Sequence, residues 1–455
     1  MRGHRGHRSV PVVLGLASLI ALIGLLGPAD RAAARTAGAG PEPRTPIEHV
    51  VTLMQENHSF DNYFGTYPGA DGIPEGTCMP IDPQAPGSRC LRPAYLGNQP
   101  IVDLGHTAEI FDRQYLDGSM QGFVSAFRSE RVEAGQQAMG YYDDRDLPFY
   151  WNVADEYVLF DRFFTSAAGG SVWNHFYWVA GQPGNPEGDL MRPEGFEHVV
   201  TIFDRLEEAG VSWKFYVENY DPEVTFRSPP DDERIAQVVW APILAIPRFV
   251  DDPELAAHIV PIDEFFDDLQ HGELPAVSYM VPSGASEHPP GSIQAGERFV
   301  RSIVNAVMLS SAWDSTALIW TYDDWGGWYD HVAPPQVDEF GYGFRTPALL
   351  VSAYAKRGHI DSTTLDFTSI LKFIEENWAL EPLAERDRAA AGLDSAFDFT
   401  KPPRPPVILG RERHPTVAKP PDKTVIYSLY GGAGGLAGVI VAAGLAHNRR
   451  RGTAG

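Results

Sequence analysis

The sequence predicts an α/β fold, a mostly parallel central sheet with helices on both faces, and three observations lead to it. Short apolar runs alternate with amphipathic helical stretches through the middle of the chain, the pattern of strands joined by crossover helices. Two of those runs end directly in Glu56-Asn57 and Asp323-Asp324, and ligands at the carboxyl ends of strands are how such a sheet gathers distant residues at one edge. With 455 residues, 44% hydrophobic and 21% charged, the chain can bury one large core or two ordinary ones, with tails to spare.

Taken in order, the first segment has Arg2, Arg5 and Arg8, an apolar stretch from Val10 to Leu26, and small residues through Ala34. That layout predicts a secretory signal over residues 1–35, or else an uncleaved anchor. A catalytic body is expected over 46–402. Its strands are read at Val50–Met54, Val211–Val217, Ala276–Val281, Ala317–Tyr322 and Ala348–Ala353, and its helices include Ile293–Leu309 and Phe367–Trp378. Long Pro-, Gly- and Asp-rich stretches, Pro68–Pro100 and Tyr220–Pro247, are expected to wall a site. Cys78 and Cys90 are the two cysteines, and in an exported protein such a pair staples a loop.

Residues 403–423 are proline-rich and read as an extended, semi-rigid spacer. The apolar stretch Val425–Ala446 is long enough as a helix to cross a hydrocarbon core of roughly 30 Å, and the basic tail 447–455 would stay cytoplasmic. A flexible Gly/Ala tail is the soluble alternative. The expectation is therefore a single-pass cell-membrane protein with an extracellular catalytic domain.

The formal charge is −24; a leader of residues 1–35, with five Arg and one Asp, would leave −28. Such a surface opposes nucleic acid as a partner. It also means that an anionic substrate needs local positive charge, from a metal and histidines.

Three motifs carry chemistry. In Glu56-Asn57-His58-Ser59 the first two residues offer hard oxygen donors and Ser59 suits a helix N-cap; the bland alternative is a turn with a solvated Glu56. In Asp323-Asp324-Trp325-Gly326-Gly327 two carboxylates end an apolar strand, an arrangement that is costly unless a cation compensates it. In Gly169-Gly170-Ser171-Val172-Trp173-Asn174 a serine opens an apolar helical run, so backbone N–H groups at the helix start would face an anion beside the hydroxyl; an ordinary N-cap is the plain reading. His106, His288 and His331 lie in turn-forming contexts and are candidates to bind phosphate oxygens or protonate a leaving alkoxide.

In Glu56–Gly65, Met139–Tyr142, Tyr322–Val332 and Phe344–Ala348, in this order, the chain resembles the bacterial phosphoesterases that include non-specific phospholipases C and a related acid phosphatase, within the alkaline-phosphatase superfamily. The resemblance covers about residues 46–402. It implies an alkaline-phosphatase-like sandwich, with Glu56, Asn57, Asp323 and Asp324 as metal ligands and Ser171 as nucleophile three residues before a shared Asn174. It also implies active-site roles for His106, His288 and His331. The phospholipases usually carry Thr-x-Pro-Asn-Arg where this chain has Ser171-Val172-Trp173-Asn174-His175.

The implied activity is metal-dependent hydrolysis of phosphate esters, phospholipids among them, through a phosphoserine, with Asn174 and His106 on the non-bridging oxygens and His288 as the acid. Four oxygen ligands favour Ca, Mg or Mn over Zn. The rival readings are a sulfatase-like hydrolase of the same superfamily and an inactive surface-anchored binding protein.

Overall fold

The computed structural model describes residues 40–127, 132–229 and 234–413. In chain order the elements that matter here are β1 (His49–Gln55), α1 (Phe60–Phe64), α2 (Ala108–Tyr115), α3 (Pro148–Glu156), β2 (Val158–Phe160) and α4 (Ser171–Ala180). They continue with β3 (Trp213–Val217), β4 (Ile259–Pro261), β5 (Val277–Val281), α5 (Ile293–Leu309), β6 (Thr316–Tyr322), β7 (Ala348–Ser352), β8 (His359–Asp361) and α6 (Phe367–Trp378). The eight strands form one sheet in the order β8-β2-β7-β6-β1-β5-β3-β4. β7 pairs antiparallel with both of its neighbours and every other pairing is parallel, so the expected mostly parallel α/β architecture is what forms.

Both faces of the sheet are covered, which is why its central strands read as apolar without alternation. Every residue of β5, β6 and β7 is buried. On one face Trp178 of α4 donates its indole N–H to Thr52 of β1 at 3.0 Å. On the other, Tyr150 of α3 packs against Trp320 of β6 with ring centroids 5.6 Å apart; Trp320 is level with Leu53, one residue along from Thr52 and so on the opposite face. α6 lies against α4, and α5 against α3.

β1 and β6 are central neighbours, paired from His49↔Thr316 to Gln55↔Tyr322. The ladder continues one step, with Asp323 N–H donating to Gln55 C=O at 3.0 Å. Glu56 and Asp323 therefore leave the sheet side by side at the same edge. Ser59 caps α1 by accepting from Asn62 N–H at 3.2 Å, and a disulfide joins Cys78 to Cys90.

Residues 403–413 run without regular structure along the body. Arg404 N–H donates to Ala353 C=O, Leu409 is buried, and Arg411 and Arg413 pair with Glu297 and Asp155. The membrane-anchored location expected from Val425–Ala446 is corrected: among the described residues no helix is long and apolar enough to cross a membrane. That segment lies outside the described residues, as do the leader expected over 1–35, the remainder of the spacer and the basic tail.

Candidate active site

The site begins where β1 ends. Glu56 follows the strand, and Asn57 takes a left-handed conformation, φ 63°, which costs a non-glycine residue energy. That turn brings its backbone N–H to Asp323 Oδ1 at 3.0 Å and its side-chain Nδ2 to Asp324 Oδ1 at 3.1 Å. Asp324 Oδ1 also accepts from Gly326 N–H at 2.7 Å. Gly326 and Gly327 have φ of 60° and 77°, the region glycine enters freely. The same loop is pinned by Gln114 of α2, which donates to Gly327 C=O and accepts from the Trp325 indole.

Ser171 is the first residue of α4, and its Oγ–H donates to Asp324 Oδ2 at 3.2 Å. Glu56, Asn57, Ser171, Asp323 and Asp324 thus come together. His106 joins them from the loop before α2: its Nδ1–H donates to Leu104 C=O at 2.7 Å, which turns Nε2 towards Asp324 Oδ2, 4.0 Å away. His288 stands beside it, the two ring centroids 5.7 Å apart. Its own Nδ1–H donates to Pro289 C=O at 2.8 Å, leaving Nε2 as the nitrogen that can exchange a proton.

The electrostatics are lopsided. Glu56, Asp323 and Asp324 are all buried, and among the described residues no Lys or Arg pairs with them. Burial first, then the charges of Asp323 and Asp324, push the Glu56 carboxyl well above its ordinary value, with the Trp240 indole acting the other way. Asp324 is raised for the same reasons, burial ahead of the Asp323 charge. Glu56 Oε2, Asn57 Oδ1 and Asp323 Oδ2 are buried with no hydrogen-bond partner. Orphaned oxygens on uncompensated carboxylates are what a cation would satisfy.

Two expected residues stand differently. Asn174 is buried, and its amide is committed to the loop before α4, donating to Gly169 C=O and Gly170 C=O and accepting from Ala167 N–H. Its donors are thus spent on backbone, in the turn that leads into Ser171. His331 belongs to a separate network. Its Nδ1 is 2.8 Å from Asp61 Oδ2, and Arg345, fully buried, bonds to both Asp61 and Asp330.

Other residues at the site were not singled out from sequence. Asp189 accepts from Gly170 N–H at 2.6 Å and Trp173 N–H at 2.7 Å, so a carboxylate already occupies two donors at the start of α4. His175 faces Glu56, Nε2 to Oε1 3.1 Å; its place one turn beyond Ser171 on the same helix face was the available signal. Glu287, beside His288, is buried and accepts from Tyr63, Tyr150 and Tyr322; nothing in its local sequence marks it.

The model of the Phosphoesterase family matches residues 47–381. Phospholipase C A of Mycobacterium tuberculosis is 30% identical over 433 residues, covering 80% of each chain. Non-specific phospholipase C1 of Arabidopsis thaliana is 28% identical over 407 residues, 79% of this chain and 72% of its own. A solved protein in the alkaline phosphatase superfamily from Vibrio parahaemolyticus aligns over 80% of this chain and 72% of its own at 14% identity and a TM-score of 0.39, a likeness too remote to argue from.

Proposed function

This chain belongs to the phosphoesterase family and is a hydrolase of ester bonds; from that premise we propose that it cleaves phosphate esters, phospholipase C-like or phosphatase-like, through a phosphoserine formed on Ser171. The observation that supports this reading is the meeting of the Ser171 hydroxyl with Asp324, in a cluster of buried carboxylates that has orphaned oxygens on Glu56 and Asp323 and no Lys or Arg partner among the described residues. That donor set fits a divalent cation, which Glu56, Asn57, Asp323 and Asp324 would hold. When bound, the ion supplies positive charge that lowers the hydroxyl's pKa and neutralises phosphoryl oxygens.

The remaining steps fall to side chains. Asp324 Oδ2 takes the hydroxyl hydrogen of Ser171 and so aims an oxygen lone pair at phosphorus. A bond forms from Oγ to phosphorus as the bond to the departing alcohol breaks. His288 Nε2 gives that alkoxide its proton and afterwards takes one from the water that splits the phosphoserine, while the hydrogen held at Asp324 Oδ2 returns to Ser171 Oγ and regenerates the hydroxyl. His106, its Nδ1 held on Leu104 C=O, offers Nε2 to a non-bridging oxygen. Asn174 keeps Ser171 at the helix start.

The named relatives are phospholipases C, which favours a phospholipid ester as substrate. The test mixes the protein with p-nitrophenyl phosphate, bis(p-nitrophenyl) phosphate or dispersed phosphatidylcholine, quenches in acid and maps the adduct by peptide mass spectrometry, phosphate from the monoester and p-nitrophenyl phosphate or phosphocholine from the diesters. The expected result is label on Ser171, with turnover in Ser171→Ala lower by about 10³-fold or more. Near-normal turnover in that variant would assign the nucleophile elsewhere, and the rates on the three substrates separate lipid from monoester.

A further inference from the structure

Ser171 and His175 share one face of α4, a single turn apart, so the helix that delivers the hydroxyl delivers an imidazole to the same place. His175 Nε2 is 3.1 Å from Glu56 Oε1 and 3.8 Å from Asp323 Oδ2. One donor atom from each residue lies within 4.8 Å of the others, and all three side chains are buried. Two ligands about 2.1 Å from one ion and roughly at right angles are themselves about 3.0 Å apart. The separation from Glu56 already matches, and that from Asp323 needs only a small adjustment.

We propose that His175 is a direct ligand of the ion bound by Glu56, Asn57, Asp323 and Asp324, making the centre a mixed nitrogen and oxygen site that selects a first-row transition ion, Mn, Fe, Co or Zn, over Ca and Mg. The inference rests on the metal reading above and goes further in naming the ligand and the ion class. Asp323 Oδ2, the oxygen that faces Nε2, and Glu56 Oε2, the other oxygen of the carboxylate that faces it, are buried with no hydrogen-bond partner. An all-oxygen set suits hard cations, and an imidazole shifts the preference to the transition series. The imidazole brings a nitrogen lone pair that can bind a metal, which a guanidinium or ammonium group lacks. Bound through Nε2, the ring keeps its proton on Nδ1, which has no protein partner. The competing arrangement is an Nε2–H donating to Glu56 Oε1, with His175 only orienting the carboxylate.

The full-length protein is stripped with chelator and reloaded with Mn(II), and directly bound ¹⁴N is read by electron spin-echo envelope modulation. Mn, Zn and Ca affinities are measured by titration in wild type and His175→Ala. The expected result is ¹⁴N coupling in wild type that is absent from the variant, with Mn and Zn affinity lowered more than about tenfold and Ca affinity little changed. Mn(II) bound in wild type without ¹⁴N coupling overturns the role of His175 and leaves the metal reading standing. Failure of wild type to bind any of the three ions overturns both. If His175→Ala does not fold, His175→Gln keeps the side-chain volume without an imidazole and is read in the same way.

Discussion

The carbonyl oxygen of Asn57 lies 2.1 Å from where a β-carbon on Gly326 would stand. Two chain segments that leave neighbouring strands are thus closer than a methyl group allows, and that approach lets Asn57 reach both Asp323 and Asp324. The acidic cluster depends on a missing side chain as much as on those present.

Gly326→Ala is the direct test of that approach. A left-handed φ of 60° costs alanine about 1–2 kcal/mol, and the contact with Asn57 is with backbone, which cannot rotate away. We expect a lower melting temperature and the loss of stabilisation by divalent metal, which in wild type should reach about 2.7 kcal/mol at an ion concentration a hundred times Kd. Thermal melts with and without chelator measure both. A variant that melts like wild type and still gains from metal would show that the two segments separate at little cost.

The sequence makes the centre of this molecule legible and its edges obscure, for physical reasons. β1 and β6 are seven residues each and buried on both faces, so their apolar runs stand out, and the polar residues that follow mark the sheet edge. β2, β4 and β8 have three residues each, too short for any period to show. At the site, spacing along the chain locates Ser171 and the acidic pairs but does not give the direction of a side chain. Asn174 and Ser171 are three apart, yet one amide turns back onto Gly169 and Gly170 while the hydroxyl faces Asp324. His331 follows Asp330, and only the fold brings it to Asp61, which is distant in sequence.

That network supplies a pH prediction. Burial disfavours charge on His331, but the Asp61 hydrogen bond and the charges of Asp61 and Asp330 outweigh it and hold its pKa above the ordinary value. A raised folded pKa means that the stabilisation is complete below the unfolded value, about 6.5, and is lost as pH rises through the folded value. His331→Gln should therefore cost about 1–3 kcal/mol in mildly acidic buffer and less in alkaline buffer, with phosphate-ester turnover changed only a few-fold. Denaturant melts of both proteins from pH 5 to pH 9 give the comparison; a gap that does not narrow would remove the charge from the account, and a collapse of turnover at constant stability would return His331 to the active site.

Glu287 poses the opposite problem beside His288. Burial pushes its carboxyl up to about 7 against three phenol hydrogen bonds, from Tyr150, Tyr63 and Tyr322, that favour the charged form. The carboxyl is raised from 4.5, so the folded state holds a proton that the unfolded state has released between those two values. Its contribution to stability is present below about 4.5 and fades as pH climbs through about 7, a change of roughly 3 kcal/mol. Gln in its place cannot ionise, yet it replaces one acceptor oxygen with an amide N–H₂ facing phenols that already donate. Glu287→Gln should thus be less stable than wild type by about 1–3 kcal/mol at pH 4.5, and the difference should shrink or reverse by pH 8. A difference independent of pH would mean that Glu287 is ionised throughout, the phenols having overcome burial.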